Sequence, residues 1–277
     1  MVSSAAIEII EASVPAQVRY INAEWKARDE SLRIGSRESR RAATSFQDVR
    51  VHDARPRLEA GALSIDRNGF TLTTNPTAVI DFRDEEQIES IYHREMERLV
   101  ERVTGAHRAF ARSHLIRTEK PIDFNDGYAR FVHCDYNMKR LVEMSETVLE
   151  THGVESQKNW RYVWYNTWQP FDHKVENNPL AFIDWESLPL DDVIDYYYTG
   201  RGQDSLVAAP VYSNTHKWCY FPNMTTDEVI VLKQMDGRDG DRSVYCPHTS
   251  FDFLEQVEDS LPRRSVETRL LAVFEDA

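Results

Sequence analysis

Nine histidines and three cysteines make up the residues best able to hold a metal or attack a substrate. Six histidines (His52, His93, His107, His114, His152 and His173) stand among charged or polar neighbours and read as surface residues. His133 differs. It lies in Phe131-Val132-His133-Cys134-Asp135, and on a strand the side chains at i and i+2 leave the same face. One imidazole and one carboxylate would then reach one metal ion, while Cys134 between them points away. The third donor is His248, in Tyr245-Cys246-Pro247-His248-Thr249-Ser250, at the end of a strand-like run. A late strand in a jelly roll returns beside an early one, so a distant histidine completes the set.

Two histidines and one carboxylate on one face of an iron, with the other positions open, form the facial triad of non-haem Fe(II) oxygenases. Open positions let such an iron take a keto acid and O2 together. The same three ligands plus a water would suit zinc and a hydrolytic reaction, and that alternative stays open on spacing alone. A 2-oxoglutarate enzyme also needs a buried cation for the distal carboxylate, and the planar fork of arginine pairs with carboxylates bidentately. Arg263, Arg264 and Arg269 all follow His248. Arg269 adjoins the apolar run Leu270–Phe274, where an unpaired charge is costly, which makes it the first candidate. Its competing role is a salt bridge to Glu267. Arg264, beside Ser265, is the second candidate.

These residues need elements to position them. Val49–Arg55 and Phe70–Thr74 alternate apolar and polar residues, with the turn signal Asn68-Gly69 between them. A helix follows: Asp84 caps it with Gln87 three residues on, Ile88, Ile91, Tyr92, Leu99, Val100 and Val103 repeat at helical spacing, and Gly105 closes it. Beyond Pro121, short β-type runs dominate: Tyr128–Cys134, Arg161–Pro170, Leu206–Ser213, Lys217–Phe221, Glu228–Met235, Arg242–Pro247 and Val266–Glu275. Helical segments near 138–152 and 187–198 interrupt them. The expected fold is an all-β core with flanking helices, an α+β chain built on a jelly roll, rather than a parallel α/β sheet. Residues 1–45 are expected as an N-terminal arm, charged between Arg28 and Arg41, and 46–277 as a single domain.

Composition narrows the function. Forty-six acids against thirty-three bases give a net charge of −13, which repels a phosphate backbone, so no nucleic-acid partner is expected. The same charge weakly favours a cationic or zwitterionic substrate. No apolar run approaches the ~18 residues of a membrane helix, and Glu8 and Glu11 interrupt any signal-peptide pattern, so no membrane association is expected. Three scattered cysteines build neither a disulfide framework nor a zinc finger, and the expected location is the reducing cytoplasm. A homodimer is kept as one assembly.

From about Arg50 onward the chain resembles the oxygenase family that includes the cephamycin 7-methoxylase J subunit and fungal gibberellin desaturase. The resemblance rests on Trp218-Cys219-Tyr220-Phe221-Pro222-Asn223-Met224-Thr225-Thr226-Asp227-Glu228-Val229, then Leu232-Lys233 through Pro247-His248-Thr249-Ser250-Phe251. Asn166-Thr167-Trp168-Gln169-Pro170, Pro179–Asp184 and Arg264–Arg269 add to it. It implies a double-stranded β-helix enzyme using Fe(II), 2-oxoglutarate and O2, with His133, Asp135 and His248 as ligands, that hydroxylates, desaturates or cyclises a small molecule. It also implies a second alternative, the partner subunit of a two-protein oxygenase system. Gln169 and Asp252-Phe253 depart from the pattern. In Arg161–Pro170, Tyr162, Trp164, Asn166 and Trp168 share one strand face and Arg161, Val163, Tyr165 and Thr167 the other; the motif favours the first face as pocket-lining. Asn166 is therefore a candidate keto-acid contact, and Trp168, Tyr165 and Tyr220 are candidate substrate contacts. His216 is expected as a satisfied structural histidine, and Lys233 as paired with an acid or snorkelling.

Overall fold

The computed structural model describes residues 11–119, 128–200, 203–238, 242–254 and 259–275. Fourteen strands are described: β1 (Ser13–Ile21), β2 (Leu32–Ile34), β3 (Thr44–Asp53), β4 (Phe70–Thr74), β5 (Arg108–Arg117), β6 (Trp160–Pro170), β7 (Leu180–Ile183), β8 (Val193–Gly200), β9 (Gln203–Pro210), β10 (Trp218–Tyr220), β11 (Glu228–Asp236), β12 (His248–Ser250), β13 (Asp252–Phe253) and β14 (Ser265–Glu275). One sheet runs β12-β7-β10-β3-β1-β13, a second β4-β11-β6-β14-β5, and a three-stranded ribbon β2-β8-β9 completes the set. This is the jelly-roll core expected from the short β-type runs.

The two large sheets meet face to face. Phe70, Leu72, Trp168, Ile230 and Leu232 of the five-stranded sheet pack with Leu180, Phe182, Cys219 and Phe221 of the six-stranded one. The period-two alternation of strands puts their neighbours on the outer faces. Val163, Tyr165, Val229, Val231, Leu270 and Ala272 accordingly pack outward on the helix His93–Thr104, which buries Met96, Leu99 and Val100 completely. Each such side chain contributes about 1.5–3 kcal/mol. The helix has the expected signals. Asp84 accepts from the amides of Glu86 and Gln87, the Gln87 amide returns to Asp84 at 2.9 Å, and Gly105 ends the helix at φ 73°. Residues Ile88–Tyr92, immediately before His93, form a π turn that joins the capped first turn to this helix.

Several expectations are corrected. From Ser13 onward, the N-terminal stretch expected as an arm is part of a sheet: β1 pairs along its whole length with β3, burying Ala16, Val18, Tyr20 and Ile21. The alternation Val14, Ala16, Val18, Tyr20 carries that signal. The segment 187–198, expected as helix, is a strand from Val193 on, because Ile194 and Tyr196-Tyr197-Tyr198 favour a pleated surface and pair with β9. Arg242–Pro247 forms no strand among the described residues, and Tyr128–Cys134 contributes only isolated bridges at His133 and Cys134. Lys233 pairs with acids as expected; fully buried, it bonds Asp66 and Asp236. Gln169 lies outside the pocket, taking a hydrogen bond from Tyr92 and donating to Asn75 and Thr226 carbonyls. His93 and His114 are also not plain surface residues; they bond each other at 3.1 Å between the helix and β5.

Candidate metal centre

His248 opens β12, where it stands opposite Phe182 of β7 and so faces the space between the sheets. His133 is brought beside it by a two-way backbone bridge, His133 N to His248 O at 3.2 Å and His248 N to His133 O at 3.1 Å. The imidazole centroids lie 4.7 Å apart. Both rings are fixed alike. His133 Nδ1 donates to Phe131 O at 2.8 Å and His248 Nδ1 to Cys246 O at 3.0 Å, each carbonyl two residues upstream. Those bonds set the tautomer and leave both Nε2 lone pairs free, the usual way a protein orients metal-ligating histidines.

Asp135 meets both free nitrogens. Its Oδ1 is 3.9 Å from His133 Nε2 and its Oδ2 3.5 Å from His248 Nε2, and one donor atom from each residue lies within 4.8 Å of the others. Among the described residues this is the only such group. Burial works to raise Asp135, but Arg269, His248, His133 and Arg117 outweigh it and hold the carboxyl well below the usual range. Burial and the neighbouring His248 push His133 down to about 4, so its ring presents a lone pair at neutral pH. Cys134 is buried, its thiol pushed up by desolvation, and it takes no part.

The residues around Asp135 differ in role from the sequence reading. Arg269 of β14 and Asn166 of β6 stand directly opposite each other, and both hold Asp135: Arg269 Nη2 to Oδ1 at 2.8 Å and Asn166 Nδ2 to Oδ2. Arg269 also bonds Glu267 at 3.0 Å, the competing role named from sequence. Both candidates thus orient the candidate ligand Asp135. Arg264 is exposed and paired with Glu119 and Asp172, away from the centre. Trp168 lies on the inner face but within the core. Tyr165 packs on the opposite face against the helix, as period two requires, and Tyr220 lies on the far face of the six-stranded sheet against Phe251. Neither reaches the centre. His216 is structural, bonded to the Tyr20 hydroxyl at 2.9 Å.

Sequence reasoning missed Gln234 and Tyr136, and it named Arg263 and Ser265 without choosing Arg263. Gln234 Oε1 accepts from Asp135 N at 3.4 Å, and Tyr136 is buried beside Trp164 with its ring near Arg269. Gln234 Nε2, Tyr136 Oη and Asn166 Oδ1 are all buried with no hydrogen-bond partner, which marks a site built to receive ligand atoms. Arg263 is 3% exposed, with its guanidinium 4.2 Å from the Tyr128 ring and 5.4 Å from that of Trp168. Its Nη1 reaches the Asn178 carbonyl at 2.8 Å, which Ser250, two residues along β12 from His248, also approaches. Arg263 Nε and the Oγ of fully buried Ser265 have no partner, and burial pushes the guanidinium down to about 9. The signal was the pair Arg263 and Ser265, two residues apart at the head of an apolar strand.

Comparison with known proteins decides the class. A family model described as an oxidoreductase/YMDC permease-like domain matches residues 19–274. The hydroxylase/desaturase efuI of Hormonema carpetanum is 30% identical over 272 residues, covering 88% of this chain and 90% of that protein. The Fe(II)/2-oxoglutarate-dependent dioxygenase nvfI of Aspergillus novofumigatus is 28% identical over 80% of this chain and 82% of its own length. The chain belongs to the Fe(II)/2-oxoglutarate-dependent oxygenase family. A solved structure of the iron and alpha-ketoglutarate-dependent endoperoxidase NvfI shares the fold of this oxygenase, with TM-score 0.81 over 95% of this chain and 98% of that one at 22% identity. The oxygenase is thus an enzyme of a class that uses iron, 2-oxoglutarate and O2 on small molecules. No helix among its described residues is long and apolar enough to cross a membrane.

Proposed function

We propose that His133, Asp135 and His248 hold Fe(II), and that the oxygenase spends 2-oxoglutarate and O2 to hydroxylate, desaturate or cyclise a small molecule at an unactivated C–H bond. The observation that carries this is the matched pinning of both Nδ1 protons, which aims two imidazole nitrogens at one carboxylate and leaves a two-nitrogen, one-oxygen donor set suited to iron. Bound there, the iron supplies the oxidising chemistry. The chain's residues do the positioning. Arg269 and Asn166 fix the Asp135 carboxylate, and Gln234 fixes its backbone.

Arg263 with Ser265 is the cradle for the distal carboxylate of 2-oxoglutarate, in place of Arg269 or Arg264. A buried guanidinium whose bonded partners among the described residues include no carboxylate is costly alone and stabilised by an incoming one. Anaerobic addition of 2-oxoglutarate to the Fe(II)-loaded protein should produce a weak visible charge-transfer band; no band in metal-loaded protein would refute the reading. Arg263→Leu should raise the 2-oxoglutarate concentration needed for half that band roughly 100-fold, the size of a lost charge-assisted pair. Metal affinity should be retained, and an unchanged keto-acid requirement would return the role to Arg269.

A further inference from the structure

A cavity of about 450 Å3 opens onto His133 and Asp135, within the range that holds a drug-sized ligand. Its walls invert the charge of the molecule. The chain as a whole carries −13, yet six arginines stand among the described residues lining this cavity: Arg40, Arg112, Arg117, Arg130, Arg140 and Arg269. Asp135, the proposed metal ligand, is the only acid among the described lining residues. Arg40 and Arg117 have partners of their own, and three more of the arginines are partly neutralised from behind. Arg269 is held by Asp135 and Glu267, Arg130 by Asp252, and Arg140 sits 3.6 Å from Glu143, itself exposed.

Arg112 has no carboxylate partner among the described residues, and the backbone aims it. In the β5–β14 ladder Arg269 pairs with Ser113 and Leu270 with Ala111, so Arg112 is the extra residue of a bulge directly beside Arg269. A bulge bends the strand and re-aims a side chain, a device found often next to active sites. Here it places the Arg112 guanidinium 5.7 Å from the ring of Trp164, on the inner face, at the cavity wall. The remaining lining includes Phe131, Tyr136 and Tyr196, which offer apolar surface below the cationic rim, and the Tyr136 hydroxyl has no partner. Arg263, the cradle assigned above to 2-oxoglutarate, does not line this cavity, so the rim arginines are left for the second substrate.

We infer that the primary substrate is an amphipathic carboxylic acid, its apolar skeleton on the aromatic wall beside the iron and its carboxylate on Arg112 and Arg140. This rests on the oxygenase reading and corrects the steer toward a cationic substrate taken from net charge. Overall charge acts at long range and is screened within about 10 Å at moderate salt, whereas the groups lining the cavity meet the ligand directly. A carboxylate bound far from the reacting carbon would also position that carbon by binding energy remote from the chemistry.

The test uses the Fe(II)-loaded protein, anaerobic and saturated with 2-oxoglutarate, titrated with 1-pyrenebutyrate and with its methyl ester. The acid should bind about ten-fold more tightly than the ester, as one charge-assisted hydrogen bond implies, and the margin should shrink as salt is raised. Arg112→Gln combined with Arg140→Gln should bring the two affinities within about three-fold by weakening the acid alone. Equal affinities in the unaltered protein, a preference for the ester, binding of neither probe, or a preference that survives both substitutions would overturn the inference. The charge-transfer band recorded on the same sample before titration reports the iron and keto-acid reading separately.

Discussion

Asp135 is a buried carboxylate kept ionised by its neighbours, and that environment sets what its substitutions should do. Arg269 supplies the nearest positive charge, at 2.8 Å, and is itself held by Glu267. Arg269→Met would leave both acids without that partner and free Asp135 to rotate. Removing an outer partner of this kind typically lowers metal affinity 10–100-fold, and a drop of about that size is expected in a titration with Fe(II) or Mn(II). Arg263→Leu should spare this affinity, so the two arginines separate cleanly: one acts on the metal, the other on the keto acid. Unchanged metal binding in Arg269→Met would show that Asn166 alone orients the carboxylate. His133-x-Asp135 was legible in the sequence because i, i+2 spacing is local. The division of labour among Arg263, Arg264 and Arg269 was not, because three arginines within seven residues look alike until burial distinguishes them.

At the scale of elements, the helix His93–Thr104 and the strand β5 are the scaffold behind the centre. The helix buries Leu99 against Val163, Leu270 and Ala272, the outer faces of the strands whose inner faces carry Asn166 and Arg269. Leu99→Ala should cost about 2–5 kcal/mol in urea unfolding, as a large-to-small change in a packed core does. A loss below 1 kcal/mol would mean that the helix is only loosely docked. The cap at Asp84 and stop at Gly105 were readable from local chemistry. Strand β5 was not, since Arg108–Arg117 carries three arginines and a histidine and shows little alternation. Its pairing with β14 makes it a strand, and a bulge in that pairing directs Arg112 inward. Likewise Val193–Gly200 follows its partner β9 rather than any helical period.

For the whole molecule, buried histidines link folding to pH. Burial pushes both His93 and His133 down to about 4, each beside a second histidine. In the unfolded chain they titrate near the ordinary ~6.5, so between those values the unfolded state binds more protons and folding weakens as pH falls. The metal-free protein should therefore lose on the order of 2 kcal/mol between about pH 7.5 and pH 5, after allowing for solvent screening at the partly exposed His93. Urea unfolding in chelator checks this, and His93→Gln should remove part of the slope. Stability independent of pH across that window would contradict the buried-neutral state of both rings.

What the sequence determined alone is the chemistry that local geometry dictates: two candidate ligands on one short segment, a third at a strand end, a capped amphipathic helix and the many short strands of a jelly roll. The tertiary structure decided everything that depends on partners remote in sequence. It joined β1 to the sheet, brought His248 beside His133, set Arg269 and Asn166 to hold Asp135, and gathered arginines from five separate segments around one cavity. Each of those outcomes turns on which groups are buried together, and burial is fixed only when distant strands pair.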